Sequence, residues 1–163
     1  MAAPLLEVLQ KHRAALRPFV PWVDQVATAA QARRFLQETA LFNRGGQKLI
    51  LFMYFRKKLI GSAGLMRIDH ENLAAEVGFW LGTRWEGQGL MRRTLEALIN
   101  KAFTDLSLQR LEMRILAQNQ RALRLANHLD FQQEGVLRRA VRQENKYHDL
   151  VVYSILYQEW QQY

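Results

Sequence analysis

Apolar positions Leu5, Leu6, Val8, Leu9 and Leu16 recur at helical spacing, which predicts a helix over residues 4–16. Pro18 and Pro21 end it and force a turn. A second helix is expected from Thr28, an N-cap residue type, to about Asn43, through Ala32, Phe35, Leu36 and Leu41. Gly45 and Gly46 close it. The pattern then changes. Residues 48–55 form a nearly continuous apolar run, the mark of a buried strand. Arg56, Lys57 and Lys58 read as a tight turn, and residues 59–68 as the antiparallel return strand. Gly61 and Gly64 are bend or close-approach points within it. A turn at 69–72 leads to a third strand, 74–81.

The period returns to helical at Leu90, Leu95, Leu98, Ile99 and Phe103. A strand over 110–116, a helix over 119–129 and two last strands over 131–141 and 149–156 follow. The polar stretch 142–148 is expected to join those two strands as a loop. Proline occurs only at positions 4, 18 and 21, and no linker, repeat or low-complexity tract divides the chain. The expectation is one α/β (α+β) domain over residues 1–163, with a central mixed sheet flanked by helices.

Composition narrows the function. Hydrophobic residues make up 49% and charged residues 23%, which excludes a disordered chain. No apolar run approaches the roughly 18 residues of a membrane helix. The first 16 residues carry Glu7, Lys11, His12 and Arg13, unlike a secretory signal. Cysteine is absent, which removes disulfides, thiolate nucleophiles and zinc–thiolate sites. The cytoplasm is the default compartment. Histidines 12, 70, 128 and 148 lack metal-ligand spacing, so no metal is expected. The net charge of +8 suits a polyanion, or simply solubility. The arginines are scattered and no nucleic-acid-binding motif occurs, so direct nucleic-acid recognition is not expected.

The most informative segment is Phe79-Trp80-Leu81-Gly82-Thr83-Arg84-Trp85-Glu86-Gly87-Gln88-Gly89-Leu90-Met91. A strand runs into a glycine-bearing loop, and a helix follows at once. Glycine permits close approach of a ligand and positive φ. A helix start offers unpaired N–H groups and the positive end of the helix dipole. Together they form an anion cradle suited to a pyrophosphate, with Arg84, Arg92 and Arg93 adding charge. A strand–helix turn without a ligand is the plain alternative. The pattern is neither the dinucleotide fingerprint nor a P-loop.

Arg84-x-x-Gly87-x-Gly89 resembles the Arg/Gln-x-x-Gly-x-Gly/Ala motif of the GCN5-related N-acetyltransferases (GNAT). Three further blocks resemble that family in order: Ala75-Glu76-Val77-Gly78-Phe79-Trp80-Leu81; Asn119-x-x-Ala122 with Leu129-Asp130-Phe131 and Glu134-Gly135; and Lys146-Tyr147-His148-Asp149 with Val151-Val152-Tyr153-Ser154. The front segment, His12-Arg13 to Asp24 with Leu16-Arg17-Pro18-Phe19-Val20-Pro21-Trp22, resembles the RimJ/RimL-type ribosomal-protein N-acetyltransferase branch. The resemblance spans essentially the whole chain. It implies the GNAT fold, with a mostly antiparallel sheet and strands splayed at the acetyl-CoA site. It implies acetyl transfer from acetyl-CoA to a primary amine, in this branch a protein N-terminal α-amine, by direct attack in a ternary complex. Acceptors in the branch also include small amines such as aminoacyl nucleotides, polyamines and antibiotics. A catalytically weak acyl-CoA-binding module is the third reading. Homodimers occur in the branch, and the sequence leaves the oligomeric state open.

Carried over residue by residue, the resemblance implies that acetyl-CoA is bound by Phe79, Trp80, Leu81, Arg84, Trp85, Glu86, Gly87, Gln88, Gly89, Leu90, Met91 and Asn119. Asn119 is also an N-cap candidate. Trp22 either stacks on the acceptor or packs in the core, Trp80 favours the core, and Trp85 sits in the cradle. Several family positions differ. Alanine stands at 126 in place of a tyrosine acid, alanine at 122 in place of serine, valine at 141 in place of a carboxylate, and aspartate at 130 in place of glycine. The family's first strand has no counterpart before the first helix, so either the sheet lacks an edge strand or Met1 is a late start. Glu76 is therefore the first candidate base and acceptor-binding residue, with a structural carboxylate as the alternative. Tyr147 and His148 are second candidates for proton transfer, or else close a hairpin.

Overall fold

The computed structural model describes residues 1–160. The last three positions of the expected 1–163 domain lie outside the described residues. The elements are α1 (Ala2–Leu16), a 3-10 turn (Val23–Gln25), α2 (Ala29–Arg44), β1 (Leu49–Phe55), β2 (Lys58–Asp69), β3 (Ala74–Leu81), a second 3-10 turn (Thr83–Trp85), α3 (Leu90–Thr104), β4 (Arg110–Leu116), α4 (Gln120–His128), β5 (Gln132–Gln143), β6 (Lys146–Leu156) and α5 (Tyr157–Trp160). The strands hydrogen-bond in the order β1-β2-β3-β4-β6-β5. The pairs β1–β2, β4–β6 and β5–β6 are antiparallel and β3–β4 is parallel. The mixed, mostly antiparallel sheet expected from the sequence is thus present.

The chain divides into two compact units, one of Met1–Met66 with Gly78–Thr94, the other of Arg67–Val77 with Leu95–Tyr163. In the first unit, Leu5, Val8, Leu9 and Leu16 of α1 form one buried face. That face joins Val20, Val23, Val26, Ala32, Leu59 and Trp80 in a single core. Two polar devices hold the connection between the helices. The Arg13 guanidinium donates to the carbonyl oxygens of Val23 and Val26, the latter at 2.7 Å. Thr28 and Gln31 form a reciprocal capping box at the start of α2. The β1–β2 hairpin turns through Arg56 and Lys57, both at positive φ (48° and 65°). Positive φ at both central residues is the hairpin turn matched to strand twist, and here it is made without glycine.

In the second unit the apolar faces of α3, β4, α4 and β6 are buried, including Leu95, Ile99, Leu111, Met113, Ala126 and Ile155. The other face of β4 is polar. Arg110 bridges Glu134 at 2.6 Å and Glu112 at 2.9 Å, Arg114 reaches Glu112 at 2.6 Å, and the Ser154 hydroxyl donates to Glu134 at 2.7 Å. The hydrogen bonds from Arg110 and then Ser154 hold the Glu134 carboxyl down to about 2. Burial opposes ionisation of Glu112, but the hydrogen bonds from Arg114 and Arg110 outweigh it and keep that carboxyl below its ordinary range.

One expectation is corrected. The stretch 142–148 is not a loop, because β5 runs to Gln143 and β6 begins at Lys146. Val141 faces His148, Arg142 faces Tyr147 and Gln143 faces Lys146 in the ladder. The chain reverses at Glu144, whose φ is 54°. This ribbon is largely solvent-exposed, so its polar residues belong to strands that bury little. Polarity there reports exposure and not the absence of a strand.

Glu134 fixes the sign of an acid effect. Its carboxyl titrates lower in the folded chain than its ordinary 4.5, so its contribution is full above 4.5 and lost as pH falls towards about 2. Glu134→Gln is expected to lower the denaturation midpoint at neutral pH and to flatten the acid slope between those values. An unchanged slope in denaturant titrations at several pH values would contradict this.

Candidate functional site

β3 is pinned to β2 by close approach. A Cβ placed on Gly61 would lie 2.3 Å from the Trp80 carbonyl oxygen, so a side chain there cannot coexist with this spacing. The Gly82 N–H donates to the Ile60 carbonyl at 2.8 Å, carrying the attachment one residue past the strand. On the β4 side, the parallel ladder pairs Ala74–Glu76 with Arg110–Glu112 and, among the described residues, stops there. Phe79, Trp80 and Leu81 follow that last pair. Trp80 is buried, while Phe79 and Leu81 are half-buried.

From Gly82 the chain makes a 3-10 turn, with the Trp85 N–H donating to Gly82 at 2.9 Å and the Glu86 N–H to Thr83 at 3.3 Å. Gly87 and Gly89 follow at φ +73° and +69°, each with no atom within 4 Å of where a Cβ would stand. Their backbone lies open, and positive φ explains why glycine stands at both positions. The N–H groups of Gly87, Gln88 and Gly89 have no hydrogen-bond partner among the described residues. Those of Leu90 and Met91 open α3, where helix geometry supplies no acceptor. Five consecutive N–H donors thus sit at the positive end of a 15-residue helix. The Gln88 side chain steadies the loop from within by donating to the Arg84 carbonyl at 3.2 Å. Arg84, Arg92 and Arg93 are exposed beside it. Such a run of donors suits a diphosphate.

The tryptophans of this unit pack inward. Trp22 stacks on Phe35 with ring centroids 4.6 Å apart and meets Trp80 edge-on at 6.1 Å. Trp85 lies against the core and against His12, at 5.4 Å. His12 was not singled out by sequence reasoning as a site residue. It is buried, and its Nδ1 is 2.9 Å from the Thr83 hydroxyl. Its burial, and then Lys11, push its pKa below the ordinary 6.5, against a smaller opposing pull from Glu86. The sequence signal was present in the His12-Arg13 block, but helical spacing marks His12 as one more core-facing position.

The remaining predicted residues lie in the second unit. Glu76 is mostly buried and ion-paired with the exposed Arg67. It stands opposite Glu112 at the last rung of the parallel ladder. The Asn119 side chain accepts from the Ala122 N–H at 3.2 Å, so it does cap α4. Ala122 and Ala126 are buried small residues on that helix. Tyr147 is half exposed under the Arg139 guanidinium, 4.6 Å from its ring centroid. Neither Tyr147 nor His148 hydrogen-bonds Glu76 among the described residues. No group of three or more metal-ligating side chains occurs among the described residues, and no helix there is long and apolar enough to cross a membrane.

Residues 2–132 match the model of the acetyltransferase (GNAT) domain family. The chain belongs to the GNAT acetyltransferases. Members of this family are acetyl-CoA-dependent N-acetyltransferases, and the expected enzyme class and co-substrate hold. The chain is 32% identical to an uncharacterised N-acetyltransferase of Bacillus licheniformis over 80% of its own length and 75% of that protein's. It is 26% identical to the ribosomal-protein-serine acetyltransferase of Escherichia coli over 93% and 84%, in keeping with the RimJ/RimL branch. In fold it is similar to RimL, a ribosomal L7/L12 alpha-N-protein acetyltransferase solved with coenzyme A. That likeness has a TM-score of 0.91 at 24% identity, over 95% of this chain and 88% of that one.

The two kinds of glycine in this GNAT acetyltransferase should respond differently to alanine. Gly89→Ala meets no neighbour and is expected to cost about 1 kcal/mol, the conformational penalty of a left-handed residue. Gly61→Ala drives a Cβ into backbone and is expected to cost about 3 kcal/mol. Denaturant unfolding of both variants checks the ranking, and equal costs would contradict it.

Proposed function

We propose that this GNAT acetyltransferase transfers the acetyl group of acetyl-CoA to the N-terminal α-amine of a protein, of the ribosomal-protein type, by direct attack in a ternary complex. The observation that carries the cofactor part is the run of five open N–H donors from Gly87 to Met91 at the start of α3. The diphosphate of acetyl-CoA needs such donors, and Arg84, Arg92 and Arg93 neutralise its charge. The acceptor part is supported by the likeness to the ribosomal-protein-serine acetyltransferase over most of both chains. A ribosomal-protein acceptor puts the reaction in the cytoplasm. Residues 1–163 act as one domain in this reading. The chain passes between the two units within β2, within β3 and within α3, so neither unit is a separable length of sequence.

Acetyl-CoA supplies an activated thioester carbonyl. The backbone of 78–81, beyond the last β3–β4 rung, offers an N–H that would polarise that carbonyl. An amine attacks only when neutral, so a group must take its proton. Glu76 is assigned this role, directly or through a water, and its negative charge would first attract the acceptor's ammonium. Its partner Arg67 is more exposed than either partner of Glu112, at 64% against 39% for Arg114 and 31% for Arg110, and can swing aside. Tyr147 and His148 are assigned second places, for the proton that the departing thiolate takes. Asn119 is assigned a hydrogen bond to coenzyme A besides its capping bond. Phe79, Trp80, Leu81, Trp85 and Glu86 shape the cradle and its floor, and Trp22 is assigned to the acceptor side.

Free coenzyme A released from acetyl-CoA, with ribosomal-protein N-terminal peptides beside small amines, tests this reading. Peptide turnover is expected, and Glu76→Gln should lower kcat by about 100-fold with acetyl-CoA affinity kept. Turnover of small amines alone would overturn the acceptor assignment. Full activity in Glu76→Gln would make that carboxylate structural.

A further inference from the structure

We propose that His12 is a positioning residue for the acetyl-CoA loop: a neutral imidazole on α1 that holds Thr83 at the loop's root and so sets where the Gly87–Met91 donors stand. The proposal rests on the reading that this loop binds acetyl-CoA. Its basis is geometric. The hydrogen bond between His12 Nδ1 and the Thr83 hydroxyl, at 2.9 Å, joins positions 71 residues apart. A Cβ on Gly82 would stand 2.9 Å from the imidazole and 2.7 Å from the Trp85 ring, so the root of the loop lies flush against both. Beyond that root, the Cβ positions of Gly87 and Gly89 face open space, and the loop is held from within by the Gln88–Arg84 bond and by the Arg93 N–H donating to the Gly89 carbonyl. Two bonds tie the root of the loop to its surroundings: Gly82 to Ile60 on the sheet side, and Thr83 to His12 on the helix side.

The arrangement requires the uncharged ring. His12 Nε2 is buried with no hydrogen-bond partner among the described residues. With the proton on Nδ1, donated to the Thr83 hydroxyl, the buried Nε2 is a bare acceptor, which costs less than an orphaned N–H. Protonation would add both a charge and an unsatisfied donor at that buried edge. The charged groups that act on the ring are Lys11, which opposes protonation, and Glu86, which favours it more weakly. Burial exceeds both. A histidine titrating below its ordinary 6.5 contributes fully above that value, and its contribution fades as pH falls through the lowered one. Loop order and acetyl-CoA affinity should fall together on that acid limb.

Five proteins test this: the wild type, His12→Leu, Thr83→Val, the double variant of those two, and His12→Asn. Thr83 is exposed, so Thr83→Val keeps the fold if His12→Leu does not. At about pH 8, His12→Leu and Thr83→Val are each expected to raise KM for acetyl-CoA about tenfold, the equivalent of one part-buried hydrogen bond, with kcat within about twofold. The double variant should be no worse than either single one. His12→Asn keeps a hydrogen-bonding group near Nδ1 but does not titrate. It should restore KM at pH 8 and abolish the rise of KM that the wild type shows towards about pH 5. Amide hydrogen exchange at residues 82–89, measured without any ligand, should quicken in His12→Leu and Thr83→Val. Unchanged exchange, or additive effects of the two substitutions, would overturn the role of His12. Faster exchange with unchanged acetyl-CoA affinity would leave the tie standing and overturn the cofactor reading of the loop instead.

Discussion

The proposed chemistry of this chain depends on how β3 ends. On one side the strand is bound to β2 so tightly that Gly61 tolerates no Cβ against the Trp80 carbonyl. On the other side its ladder with β4 stops after three rungs, at Glu76 and Glu112. A strand held on one edge and released on the other keeps its direction while offering backbone groups to a ligand. The loop then inherits that direction, because Gly82 still hydrogen-bonds to Ile60. A weaker attachment at Gly61 would leave the loop's amides without a fixed origin.

Charge is used in two ways in the second unit. Glu112 and Glu134 are locked by Arg110 and Arg114 into a network that spans β4, β5 and β6. Their carboxyls titrate low and serve structure. Glu76 is different. It is mostly buried, yet the Arg67 that pairs with it is 64% exposed and itself at positive φ. A partner so solvated contributes little to stability, so the pair can open for a cationic amine at small cost. That contrast supports the proposal of Glu76, rather than Glu112 or Glu134, as the base.

Much of this was legible in the sequence. The bounds of β3 and β4 match the strands expected over 74–81 and 110–116, and the glycine-bearing loop followed from the switch of period at Leu90. The positive φ of Gly87 and Gly89 agrees with the reason for reading a cradle there. What was hidden depends on contacts distant in sequence. His12 meets Thr83 across 71 positions, and no local pattern separates it from the leucines of its helix face. Only the tip of the β5–β6 ribbon, 142–148, differs from the loop expected there, because exposed strands carry the polar residues that loops carry. Trp22 lay beside two prolines in a segment with no period, and its stacking on Phe35 needs the fold to be seen.

The central claim is that the Gly87–Met91 donors bind the diphosphate of acetyl-CoA. The most direct measurement is a titration of acetyl-CoA followed by backbone amide NMR. The amide resonances of Gly87, Gln88 and Gly89 are expected to shift most and to saturate together with binding. Saturable binding that leaves those three resonances in place, with the largest shifts elsewhere, would contradict it.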